Sequence, residues 1–94
     1  VAQDYLGYYL EAIFDYNKAL SLDSTDTDIY FNRAVAKYNA GKYNEAIEDY
    51  NKVILVNPTD PDIYYNRALA YESLGLLKEA ETDYNKAKQL KSLK

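Results

Sequence analysis

The sequence predicts an all-α solenoid of antiparallel helix pairs, and three observations predict it. The only glycines, Gly7, Gly41 and Gly75, stand 34 residues apart. Each is followed at fixed offsets by Glu-Ala (Glu11-Ala12, Glu45-Ala46, Glu79-Ala80) and by Asp-Tyr-Asn-Lys (Asp15–Lys18, Asp49–Lys52, Asp83–Lys86). Between the glycines, apolar residues recur at helical spacing with no strand-type alternation. A fixed period of about 20–50 residues marks a repeat array, in which each unit stacks on the next.

The elements follow in order. Residues 1–6 read as the end of a truncated helix, because Val1-Ala2 matches Val35-Ala36, and Gly7 reads as the turn after it. A full helix then runs from about Tyr8 to Leu22. In the next repeat, Asp26 or Thr27 supplies an N-cap and Asp28 suits the first turn. Ile29, Tyr30, Ala34, Val35 and Tyr38 carry the helical period to Ala40. Gly41 then offers the left-handed C′ position that glycine adopts most cheaply. A partner helix spans roughly Tyr43–Val56, with Tyr43, Ala46, Ile47, Tyr50, Val53 and Ile54 on one face. Asn57-Pro58 stops it, since the residue before proline is pushed out of the α region. Asp60 caps the following helix, with Pro61 at its first position, and it runs to about Leu74 before Gly75. A last helix covers about Leu77–Leu90. The expectation is five helices plus a short N-terminal stub in one domain. Residues 1–25 form a truncated repeat, 26–59 a full repeat, and 60–94 a full repeat with an extended last helix.

Composition narrows the function. The chain has 94 residues, 48% hydrophobic and 28% charged, which fits an ordered soluble chain. No apolar run approaches the ~20 residues needed to span a bilayer, so a soluble, cytoplasmic chain is expected. The chain begins at Val1 rather than Met, so targeting is unreadable. Cysteine and histidine are absent, which removes disulfides, thiolate nucleophiles and most zinc or iron sites. The serines Ser21, Ser24, Ser73 and Ser92 have no evident base. Adjacent carboxylates such as Glu48-Asp49 point apart on a helix. No enzyme, metal or cofactor is expected. The net charge of −4 argues against a nucleic-acid partner. Lys86, Lys88, Lys91 and Lys94 read as a helix C-terminus whose charge suits the dipole, rather than as a membrane patch.

The layout resembles the tetratricopeptide repeat, a helix–turn–helix unit of about 34 residues. Its aromatic positions fall on Tyr30 and Tyr64, and on Tyr16, Tyr50 and Tyr84. Its small positions fall on Ala34 and Ala68, on Ala12, Ala46 and Ala80, and on Ala19, Val53 and Ala87. Its terminal proline falls on Pro58. The chain departs from the pattern at Arg33 and Arg67, where leucine is usual. Lys37 stands where the next repeat has Tyr71, and Ser24 and Ser92 stand in place of proline. The small residues also make physical sense by themselves, because paired helices 8–10 Å apart need alanine where backbones meet. Tyrosine suits the adjoining spaces if its hydroxyl finds a partner.

The resemblance implies a concave groove lined by the first helix of each pair. Carried over position by position, the groove residues are Asp28, Phe31, Asn32, Val35, Tyr38 and Asn39, then Asp62, Tyr65, Asn66, Leu69, Glu72 and Ser73. Asn32 and Asn66 offer both donor and acceptor, which suits the backbone of an extended peptide. The alternative is that they brace neighbouring helices. Arg33 and Arg67 point away from the groove in that frame and are expected to pair with Asp49 and Asp83. Asp4, Asp28, Asp62 and Glu72 are expected on or near the concave face, with no lysine or arginine there. Chaperone-binding members of the family clamp a C-terminal carboxylate with Lys and Arg. One position where such a Lys sits carries Asp28 and Asp62 here, which implies a neutral or basic peptide instead.

The first complete helix, with Tyr9, Ala12, Ile13, Tyr16, Ala19 and Leu20, has lost most of its partner in this reading. The chain is therefore expected to be a piece of a longer array. An exposed apolar stripe there invites self-association through the repeat ends.

Overall fold

The computed structural model describes residues 2–93, with side chains from Leu6 to Leu93. Five helices follow one another: α1 Ala2–Leu22, α2 Thr27–Asn39, α3 Tyr43–Val56, α4 Pro61–Ser73 and α5 Leu77–Ser92. There is no strand among the described residues. Each helix packs on the next in the chain, and α2 also touches α4. Among the described residues the odd-numbered helices do not touch one another. The array therefore curves with α2 and α4 on its inner side. It forms a slab of 36 × 31 × 19 Å.

The helix boundaries have local causes. Asp26 caps α2, its carboxylate accepting from the backbone N–H groups of Asp28 and Ile29 at 3.0 and 3.4 Å. Asp60 caps α4 through the N–H of Asp62 at 2.9 Å, with Pro61 at the first helical position. At the other ends, Gly41 (φ 81°) and Gly75 (φ 79°) take the left-handed conformation. The Lys42 N–H then reaches back to the Lys37 carbonyl at 2.8 Å, and the Leu76 N–H to that of Tyr71 at 2.9 Å. These are the long backward bonds of a Schellman stop, and they turn each helix back on itself.

Gly7 departs from that pattern. The sequence marks it as a turn after a separate stub, but α1 runs unbroken from Ala2 to Leu22 and Gly7 has no positive φ. The left-handed glycines serve a chain that must reverse to bury one helix against its pair. Residues 2–6 are too few to form a packed partner helix, and continuing α1 adds one backbone bond per residue. A mid-helix glycine costs only about 1 kcal/mol relative to alanine. Val1 lies outside the described residues.

The core is built where alanines let helices close. Ala34, Ala46, Tyr50, Val53 and Ile63 form one buried cluster, flanked by Tyr30, Phe31, Tyr38 and Ile54. Ile63 belongs to α4, so this cluster fastens the second repeat to the first. Tyr64, Ala87 and Leu90 form a second cluster, again reached by Ile54. Two tyrosine hydroxyls on these helices find backbone partners. Tyr30 donates to the Ser24 carbonyl at 3.0 Å and Tyr64 to the Pro58 carbonyl at 2.8 Å, each tying a helix to the turn before it.

Candidate functional site: the inner face of α2 and α4

Two arginines set the frame on which the inner face rests. Arg33 grips Asp49 with Nε and Nη2, both at 2.8 Å, and Arg67 grips Asp83 likewise at 2.7 Å. These bidentate bonds are the pairings expected from the sequence. Each guanidinium makes one further bond. Arg33 Nη1 donates to Asn17 Oδ1 at 2.8 Å, and Arg67 Nη1 to Asn51 Oδ1 at 2.7 Å. The recurring Asp-Tyr-Asn motif thus has a structural meaning. Its Asp holds the arginine of its own repeat, and its Asn holds the arginine of the next. In both pairs the carboxylate hydrogen bond raises the arginine pKa above its already high ordinary value.

Lys37, expected to lay its stem over the core, is buried and goes further. Its Nζ lies 3.2 Å from Asp49 and 3.8 Å from Glu45. In the next repeat Tyr71 takes that place and packs against the Arg67 guanidinium, 5.7 Å from its ring centroid.

With the arginines turned outward, the rest of α2 and α4 is free to line the inner face. Asp28, Phe31 and Asp62 come together with Thr27, Asp60 and Ile63 around a cleft of about 260 Å³ between the N-termini of the two helices. Phe31 is fixed there by a tilted contact with Tyr50, centroids 6.0 Å apart. Tyr38 meets Tyr43 edge-on at 5.2 Å, and Tyr65 meets Tyr84 at 5.5 Å. The Tyr84 hydroxyl donates to Glu72 at 3.3 Å, and burial together with that carboxylate raises its pKa. Asn32 is exposed and Asn66 half-buried, and neither side chain has a hydrogen bond among the described residues. Asn39 and Ser73 are exposed, and Val35 and Leu69 are half-buried. The side chain of Asp4 lies outside the described residues.

Two lysines also stand close to a residue read as lining the groove. Lys88 and Lys91 border a second depression of about 240 Å³ with Tyr65, Tyr84 and Ala87. Sequence reading placed no cation near the groove because it assigned both lysines to the solvated end of the last helix. The antiparallel pairing of α4 and α5 brings the end of α5 alongside Tyr65 near the start of α4. The cleft between α2 and α4 is therefore acidic, and the depression beside Tyr65 is bordered by two lysines.

No group of three or more His, Cys, Asp or Glu among the described residues is placed to hold a metal ion. No helix there is long and apolar enough to cross a membrane.

Paired helices and glycine stops at a 34-residue period define a class of protein-interaction solenoid. The chain belongs to the tetratricopeptide repeat family. A model described as TPR repeat matches residues 5–41 and 36–75, and one described as Tetratricopeptide repeat matches 61–92. No curated protein matches the chain. Among solved structures it is similar to a crystal structure of MamA, with 29% identity and a TM-score of 0.83 over 90% of this chain and 50% of that one. It is also similar to the first TPR of Spaghetti (RPAP3) bound to the HSP90 peptide SRMEEVD, with 31% identity and a TM-score of 0.82 over 95% and 72% of the two chains. The second TPR of the same protein, bound to the same peptide, gives 31% identity and a TM-score of 0.81 over 89% and 78%. The chain thus spans about half the length of the MamA structure it matches.

Proposed function

We propose that this chain is a non-catalytic scaffold that binds an extended or helical protein segment across α2 and α4. The segment seats a basic side chain in the cleft between Asp28, Asp60 and Asp62. The acidic cleft carries the proposal, because opposite potentials speed encounter and select partners. Phe31, Tyr38 and Tyr65 supply apolar area, and Asn32 and Asn66 hold the segment's backbone. That neither amide is hydrogen-bonded within the described chain supports this role over bracing. Lys88 and Lys91 favour an uncharged or acidic stretch towards Tyr65. The similar Spaghetti repeats bind a peptide with three acidic side chains. Here the acids at the α2–α4 cleft oppose an acidic residue there.

Fluorescence anisotropy with SRMEEVD and a charge-reversed counterpart tests the proposal. The basic peptide is expected to bind more tightly, to weaken with added salt, and to weaken again on Asp28→Asn with Asp62→Asn. Tighter binding of SRMEEVD overturns it. Asn32→Ala with Asn66→Ala is expected to weaken the same complex.

One observation favours a second reading, self-association through the end of the array. Leu6, Leu10 and Phe14 stand at i, i+4 and i+8 on α1 and are exposed. One period later the same positions are Ala40, Asn44 and Glu48, so this stripe is peculiar to α1. Sedimentation over a wide concentration range decides it, and a strict monomer throughout removes the idea.

A further inference from the structure

Two copies of one packing arrangement are complete in this chain, and a third is half-built. Helix α2 pairs with the face of α3 that carries Ala46, Asp49, Tyr50 and Val53. Helix α4 pairs with the matching face of α5: Ala80, Asp83, Tyr84 and Ala87. In both, the aspartate is sealed, 1% exposed at Asp49 and 3% at Asp83, and clamped by an arginine. One period before Asp49 the same face recurs on α1 as Ala12, Asp15, Tyr16 and Ala19. There Asp15 is exposed, and no ion pair or hydrogen bond engages it among the described residues. Ala12, Tyr16 and Ala19 are only half-buried. Among the described residues the one helix that α1 touches is α2, which also reaches it through the Arg33–Asn17 bond, while Ile13 and Leu20 are buried. By helical spacing the Asp15 face lies on the other flank of α1 from Asn17.

We propose that this face of α1 docks an amphipathic helix carrying the sequence Tyr-x-x-Arg-Ala, its arginine forming a bidentate pair with Asp15. The two filled copies define that chemistry. Each presents Tyr-x-x-Arg-Ala, as Tyr30 to Ala34 and Tyr64 to Ala68. The arginine meets the aspartate, and the buried alanine lets the helix axes approach. A second copy of the chain does not supply this helix. Its only arginines are Arg33 and Arg67, and both are already committed to Asp49 and Asp83. The occupant is therefore a helix from outside these 94 residues. The site is separate from the inner face of α2 and α4 and from the Leu6–Leu10–Phe14 stripe.

The test uses a side-chain-stapled peptide with the sequence of residues 61–73, its helicity first established by circular dichroism. It is titrated into the whole chain and followed by amide chemical shifts. Expected are saturable one-to-one binding and shifts centred on Ala12–Ala19. Affinity should fall about tenfold or more on Asp15→Asn, and equally when the peptide arginine becomes glutamine. Asp15→Arg with the peptide arginine changed to glutamate should restore binding. Because Asp15 is exposed, these variants keep the fold, which the dispersion of the same spectra checks. Absence of binding by the helical peptide at about 1 mM overturns the proposal, as does binding indifferent to both charge removals.

Discussion

Replacing Arg67 by methionine keeps most of the side-chain stem and removes the charge. Asp83 then loses two hydrogen bonds of 2.7 Å, and Asn51 loses a third of 2.7 Å. The carboxylate is left buried with no cation beside it. Removing one partner of a buried pair costs about 3–5 kcal/mol, most of it the burden of the uncompensated charge. The Arg67 side chain is 19% exposed, so water screens part of the loss and about 3 kcal/mol is the working value. That is a large share of the roughly 5–14 kcal/mol expected for a domain of this length. The same substitution at Arg33 has a smaller effect, because Lys37 Nζ stays 3.2 Å from Asp49. There the loss is about 1–2 kcal/mol. Urea unfolding near neutral pH, followed by far-UV circular dichroism, measures both. Adding Lys37→Met to Arg33→Met should bring its loss up to that of Arg67→Met. If Arg33→Met alone costs as much as Arg67→Met, the argument that the second cation compensates is wrong.

Two further outcomes are expected. Gly7→Ala should raise stability by about 0.5–1 kcal/mol, since Gly7 is helical and an added Cβ meets nothing within 4 Å. Gly41→Ala and Gly75→Ala, at φ 81° and 79°, should each lower it by about 1–2 kcal/mol. Thermal midpoints of the three variants check this, and a loss at Gly7 would place a turn there after all. Burial holds the Tyr50 hydroxyl far above its ordinary 10.0, so the folded chain keeps a proton that the unfolded chain releases in alkali. Its contribution is complete below about pH 10 and falls as the pH climbs beyond. Tyr50→Phe should move the alkaline unfolding transition to higher pH, as read by circular dichroism alongside tyrosinate absorbance. An unmoved transition would show that Tyr50 does not govern it.

Much of the fold was legible because the sequence repeats its own instructions. Asp60-Pro61 at one end of a helix and Gly75 at the other are local signals, and each acts within a turn of where it stands. The Arg33–Asp49 and Arg67–Asp83 pairs could be read because a buried guanidinium needs a carboxylate and the repeat supplies one at a constant offset. Gly7 was misread since glycine permits a left-handed turn without requiring one. Whether a turn forms depends on whether enough chain precedes it to pack. Asn17 and Asn51 sat in an obvious motif, but their bonds cross from one repeat to the next, and that register comes from the packing angle. Placing Lys88 and Lys91 beside Tyr65 required the register of α5 against α4. The inner-face residues Asp28, Phe31 and Asp62 do share one cleft, whereas Asp60, read only as a cap, joins them through the turn before α4.

The arginines also bear on how this array comes apart. Each one joins its own repeat to the one before through an asparagine, so the boundary between folded and unfolded repeats cannot sit there without breaking a charge-assisted bond. In a one-dimensional chain of coupled units, such bonds raise the energy of a domain wall. Partly melted states with the wall between the two repeats are then suppressed, and the pair melts nearly as one unit. The Arg33–Asn17 bond ties α1 into the array in the same way, but among the described residues α1 packs on α2 alone, so within that unit its amides should exchange with solvent first.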